Sequence, residues 1–133
     1  MRIADFRDLR FEKDPVPLWG AGQPSFCISP RVHDFGGRVG RRLLYSSKEP
    51  SGRLAFCVRQ ARPSGDGWEA LPGIVLASGL PGGKNGVTAP DVVRLADGRW
   101  RMYVEARDSD AASAVIASAT EVDPLVGARV LST

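Results

Sequence analysis

Apolar positions in this chain fall in short runs of four to eight residues, and no helical period is sustained anywhere. The runs are "FCISPRV", "RRLLYSS", "RLAFCVRQ", "GIVL", "APDVVRL", "RWRMYVEA", "SAVIASAT" and "ARVL". Several are rich in β-branched or aromatic residues. Turn-forming segments separate them: "FGGRVG", "KEPSG", "RPSGDG", "LPGGKNG" and "LADG". Short, evenly spaced strands punctuated this way predict an all-β fold. Only "DSDAASAVIASATE" could pass for a helix, on its alanines. A repeat in the chain makes it a strand instead.

That repeat runs through both halves. "PVPL" (Pro15–Leu18) matches "GIVL" (Gly73–Leu76) at a separation of 58, and "SPRV" (Ser29–Val32) matches "APDV" (Ala89–Val92) at 60. "LLYSS" (Leu43–Ser47) matches "RMYVE" (Arg101–Glu105), again at 58, and "RLAFCVRQA" falls over "SAVIASATE". A period of this size points to a solenoid, propeller or array. Four strands per period is the content of one propeller blade. The expected organisation is an outer-strand segment over 1–18 and two four-stranded antiparallel blades over 19–76 and 77–133, part of a five-bladed β-propeller.

Composition narrows the function classes. The 133 residues are 43% hydrophobic and 25% charged, with 15 glycines and 10 prolines and a net charge of +3. Acids and bases are mixed along the chain. Nucleic-acid binding, which calls for a basic face interleaved with aromatics, is therefore not expected. No apolar run approaches the about 18 residues of a membrane span. The charged start "MRIADFRDLRFEKD" lacks the apolar core of a signal peptide, so a cytoplasmic location is expected. Cys27 and Cys57 read as buried reduced thiols, with a disulfide as the less expected alternative. His33 is the single histidine, and without a second histidine or a cysteine cluster no zinc site, metal or cofactor is expected.

"TAPDVVRLADGRWRMYVEAR" followed by "SAVIASATEVDPL" resembles the repeated blade of five-bladed β-propeller glycosidases, the arabinofuranosidase/xylosidase/fructosidase-like enzymes and their relatives acting on mannosides. The resemblance spans most of Pro15 to Thr133. It implies a central funnel lined by the inner strands, with catalytic or substrate-binding acids on them. It also departs from that family. Those enzymes often carry an aspartate just before the inner-strand proline, where this chain has Ser29 and Ala89, and they use two more acids from later blades. Two blades leave apolar faces uncovered, and each such face needs a neighbour. A separate chain supplying about three further blades is the expected partner, with a homo-oligomer as the alternative.

Within that frame the candidate catalytic residues are Asp91 and Glu105. Asp91 sits in an apolar run, where an unpaired carboxylate is costly, so it is either partnered or functional. Glu105 could serve as a general acid of raised pKa; its structural alternative is a salt bridge to Arg107 or Arg101. Arg31 stands at the equivalent place in the first repeat, as an ion-pair partner of Asp91 or a substrate ligand. Arg107, Gln23 and Asn85 are further candidate substrate-binding residues. So is Trp19, which could stack on a sugar ring or simply pack in the core. Asp97-Gly98 reads as a structural turn, and Trp68, Trp100, Tyr45 and Tyr103 as packing residues.

Three functions follow. The first is a subunit of a hydrolase complex, sharing its funnel with a partner and acting on a glycoside or small molecule; a strained epoxide or aziridine of secondary metabolism or self-resistance is one alternative substrate class. The second is a carbohydrate-binding arc without catalysis. The third is a structural subunit that completes a partner's propeller.

Overall fold

The computed structural model describes residues 10–15, 27–48, 56–77, 86–108 and 113–121. Among these the chain is all-β. Seven strands form one open mixed sheet: β1 (Ile28–Asp34), β2 (Arg41–Lys48), β3 (Phe56–Ser64), β4 (Gly67–Ala70), β5 (Gly86–Arg94), β6 (Trp100–Arg107) and β7 (Val115–Thr120). Their order is β1-β2-β3-β5-β6-β7, with β4 pairing β3 off this path. No described helix is long and apolar enough to cross a membrane. Within the alanine-rich segment, Val115–Thr120 is a strand, β7.

Local chemistry explains the elements. β1 and β2 are joined by a loop in which Phe35 N–H donates to Gly40 O at 2.9 Å and Asp34 Oδ1 accepts from Gly36 N–H at 2.8 Å. β3 and β4 meet in a two-residue turn whose first residue, Gly65, has φ 54°, the conformation glycine supplies in hairpins. β5 and β6 are joined through Asp97-Gly98, where Asp97 Oδ1 accepts from Arg99 N–H at 3.0 Å. β4 escapes the apolar pattern because "GWEA" holds one strong strand former, Trp68. "GIVL", expected as a strand, contributes only a single bridge from Leu76 to Val58.

The strands form two antiparallel units, β1–β4 and β5–β7. Between them lies one parallel pairing, Phe56 with Gly86. The sheet turns back at that seam, and the two units bury a shared core of Phe35, Leu44, Val58, Val87, Val92, Val104 and Ala106. A second cluster, Leu43, Tyr45 and Ala61 with Cys27 and Trp68 against it, lies on the opposite face of the first unit. Cys27 and Cys57 are not joined in a disulfide.

The units are structural counterparts. Each has a bulge at the same place, between Ile28 and Arg31 and between Thr88 and Asp91. Each bulge holds a non-glycine residue of positive φ just before a proline, Ser29 at 54° and Ala89 at 53°. Opposite the bulges, Arg31 pairs with Leu44 and Asp91 with Tyr103. The middle strands therefore align Leu43–Ser47 with Met102–Ala106, one residue on from the alignment expected over Arg101–Glu105. A one-residue shift moves every side chain to the other face. Tyr45 thus corresponds to Val104, Leu44 to Tyr103, and Ser46 to Glu105. The bulge also changes which residues of β5 share a side: Thr88 faces Glu105 and Asp91 faces Tyr103, so those two share it across a spacing of three.

The corrected register fixes how the units stack. Leu44 and Val104 meet in the shared core. The counterpart of Leu44, Tyr103, lies on the far side of the second unit, 40% exposed. The counterpart of Val104, Tyr45, lies on the far side of the first unit. The stacking is therefore front to back. It is heterologous, not two-fold. The fourth strand expected for the second unit, and the outer-strand segment over 1–18 apart from residues 10–15, fall outside the described residues.

The seam makes a test of this arrangement. A Cβ on Gly86 would stand 2.7 Å from the Phe56 backbone nitrogen, and Gly86 has φ 148°. Gly86→Ala should lower unfolding stability by roughly 1–3 kcal/mol, measured by urea denaturation, whereas Gly67→Ala, with open space around it, should cost far less.

Candidate functional site

The polar candidates gather at β1 and β5 and on the far face of β5–β7. Arg31 Nε and Asp91 Oδ1 form an ion pair at 3.0 Å, linking the two units. Asp91 Oδ1 also accepts from Val92 N–H at 3.0 Å. Both side chains are about half exposed, so the pair adds at most about 1 kcal/mol to stability. The expectation that Asp91 needs a partner and that Arg31 supplies one agrees with this geometry, although Asp91 is exposed rather than sunk in the apolar strand.

Glu105 is exposed, and its carboxylate accepts from the Thr88 hydroxyl at 3.5 Å. Among the described residues no ion pair joins it to Arg101 or Arg107. Arg101 instead donates to Ser118 Oγ at 2.8 Å and lies over the Tyr103 ring, 5.4 Å from its centroid. Tyr103, expected as a packing residue, belongs to this exposed surface. Arg107 pairs with Gly86 on the same face as Glu105. Trp19, Gln23 and Asn85 lie outside the described residues.

Register places both carboxylates on one face. Asp91 is opposite Tyr103, and Glu105 lies two residues further along β6. Such diagonal neighbours are roughly 7–8 Å apart. Around them stand Thr88, Arg101, Tyr103 and Arg107, and beside them the exposed apolar side chains of Val93 and Ile116. The face has carboxylates, a hydroxyl, guanidinium groups and an aromatic ring, but one wall only.

Two elements escaped the sequence reading. One is the hydroxyl of Ser46, which is buried and accepts from the Ala89 N–H at 3.2 Å across the junction of the units. A residue before proline normally stays in the extended region. The positive φ of Ala89 turns its N–H out of its own ladder toward the neighbouring unit, and Ser46 takes it. The other is His33, which packs edge-on against Phe35 at 4.7 Å and Trp100 at 5.1 Å, while Phe35 and Trp100 stand 5.1 Å apart. This three-ring cluster closes one end of the core, and His33 Nε2 is buried in it without a hydrogen-bond partner.

No family model, curated protein or solved structure matches the chain. The assignment of function therefore rests on the chain's own geometry.

His33 gives the fold a pH dependence. Burial lowers its pKa from the ordinary value; the Arg31 cation adds to this, and Asp91 and Asp34 oppose it. Below about pH 6.5 the unfolded chain takes up this proton more readily than the folded one. The His33 contribution is thus complete above that pH and is lost as pH falls. Between about pH 7.5 and 5.5, the wild type should lose thermal stability relative to His33→Phe, which keeps the ring contacts and removes the titration. Parallel melting curves across that range would contradict the assignment.

Proposed function

We propose that the chain is one arc of a larger propeller-like assembly, a subunit of two blade-like units whose next neighbour is carried by a separate chain. The observation that carries this reading is the front-to-back stacking of the two units. Heterologous stacking does not terminate itself: it continues until a ring closes or a different surface covers the last face. The last described face here is that of β5–β7, where Ile116 is 73% exposed and Tyr103 and Val93 are each 40% exposed. Contiguous exposed apolar surface of this kind marks an interaction site. A stable partner would bury upward of about 1,200 Å² in total.

A second reading, a hydrolase subunit, is favoured by the placement of Asp91 and Glu105. Two carboxylates about 5–9.5 Å apart can act as acid with nucleophile or acid with base across a scissile bond. The two residues share one face of β5–β6 as diagonal neighbours. With the open face closed by the partner, the pair would sit in a shared crevice, with Arg31 ion-paired to Asp91 and Arg107 nearby for an anionic or hydroxylated substrate. The substrate class is a glycoside or a small strained-ring electrophile whose leaving oxygen or nitrogen takes a proton from the acid. A non-catalytic carbohydrate-binding arc would use the same face without turnover.

Two measurements check these readings. The isolated chain should bind a hydrophobic dye and associate without fixed stoichiometry at micromolar concentration, and Ile116→Asp should suppress both. A discrete monomer that binds no dye would count against the arc. In the assembled complex, Asp91→Asn and Glu105→Gln should each lower turnover by about 10²–10⁴-fold at unchanged melting temperature. Activity within a few-fold of wild type for both would leave the arc as pocket wall.

A further inference from the structure

The junction between the two units contains a polar contact that recurs at the open end in a different form. Inside the chain, the Ser46 hydroxyl on β2 accepts the Ala89 N–H from the bulge of the following unit at 3.2 Å. Ser46 is opposite Ile28, just before the first bulge; Glu105 is opposite Thr88, just before the second. Glu105 is therefore the counterpart of Ser46. Its carboxylate stands on the face that, in the first unit, receives a neighbour. The apolar surroundings correspond as well: Leu44 with Tyr103, and Val58, opposite Ser46, with Ile116, opposite Glu105.

We infer that the far face of β5–β7 docks a repeat unit of the same kind carried by a partner chain, and that Glu105 accepts the backbone N–H of that unit's positive-φ residue before proline, as Ser46 accepts that of Ala89. This rests on the arc reading and names the contact that extends it. A carboxylate is the stronger acceptor, since hydrogen bonds to charged groups exceed neutral ones. It also suits an interface formed between chains, where the donor is not tethered nearby.

A second copy of this chain is a poor occupant. The face its first unit would have to present is that of Leu43, Tyr45 and Ala61, which are already buried at 4%, 5% and 0% exposure. Its second unit uses Val87, Val104 and Ala106 in the internal core. Both faces of the required kind are taken, so a second copy has none left to offer.

The test uses the full chain extended at its C-terminus by a duplicate of residues 73–133, which presents an uncovered face of the required kind. Amide hydrogen exchange is read at the duplicated alanine before proline and along β6 and β7 of the original chain. Docking should protect Tyr103 and Ile116 amides and slow exchange at the duplicated alanine. Glu105→Ala should accelerate exchange at that alanine by about tenfold or more. Glu105→Gln, which keeps a carbonyl acceptor, should retain most of the protection. Circular dichroism confirms that each variant is folded. A docked unit whose alanine exchanges alike in Glu105→Ala and wild type would overturn the Glu105 contact and leave the arc standing. No added protection anywhere would overturn both. A defined dimer of the unextended chain that Ile116→Asp dissolves would overturn the choice of a partner chain over a second copy.

Discussion

The apolar contact between Leu44 and Val58 on one unit and Val87, Val104 and Ala106 on the other is the constraint on which the rest of the structure depends. Each unit is a single layer of sheet, and a single layer has two faces but cannot bury either by itself. Leu44 and Val104 are 0% and 2% exposed. Full burial of such side chains contributes about 1.5–3 kcal/mol each. Without that contact neither the seam at Gly86 nor the ion pair between Arg31 and Asp91 would have its geometry.

The polar features at the junction serve this contact. A bulge before a proline lets the chain turn a backbone N–H out of its own ladder, at the cost of strain at Ala89. Ser46 then satisfies a group that would otherwise be unpaired at a buried boundary. The bulge also changes which residues of β5 share a face. That shift brings Thr88 and Asp91 to the side of Glu105, and so creates the one cluster of chemistry-bearing groups on the far face.

Front-to-back stacking distinguishes this arrangement from a two-layered sandwich. Sandwich halves place equivalent faces together and stop. Here unlike faces meet, so the second unit presents the very face that the first unit has buried. The buried version is apolar with one hydroxyl. The exposed version has the same places filled by Tyr103, Ile116 and Glu105, residues that tolerate water yet can be covered. A lone carboxylate would be costly in a permanent core.

Much of this was legible in the chain itself. Strand positions followed from apolar runs and turn residues, because these act locally; β1, β2, β3, β5, β6 and β7 all lie on expected runs. The repeat was visible too, as was the partnership of Asp91 with Arg31, since a carboxylate among apolar neighbours calls for a cation. What the chain alone did not determine was register. A bulge at Ser29 or Ala89 leaves no compositional mark, and matching Tyr45 to Tyr103 by residue type misplaced one strand by a residue. Register is decided by the partner strand and by which face finds apolar company, and those are properties of the assembled sheet. That Glu105 stands opposite Thr88, in the place that Ser46 occupies in the other unit, is for the same reason a property of the tertiary structure alone.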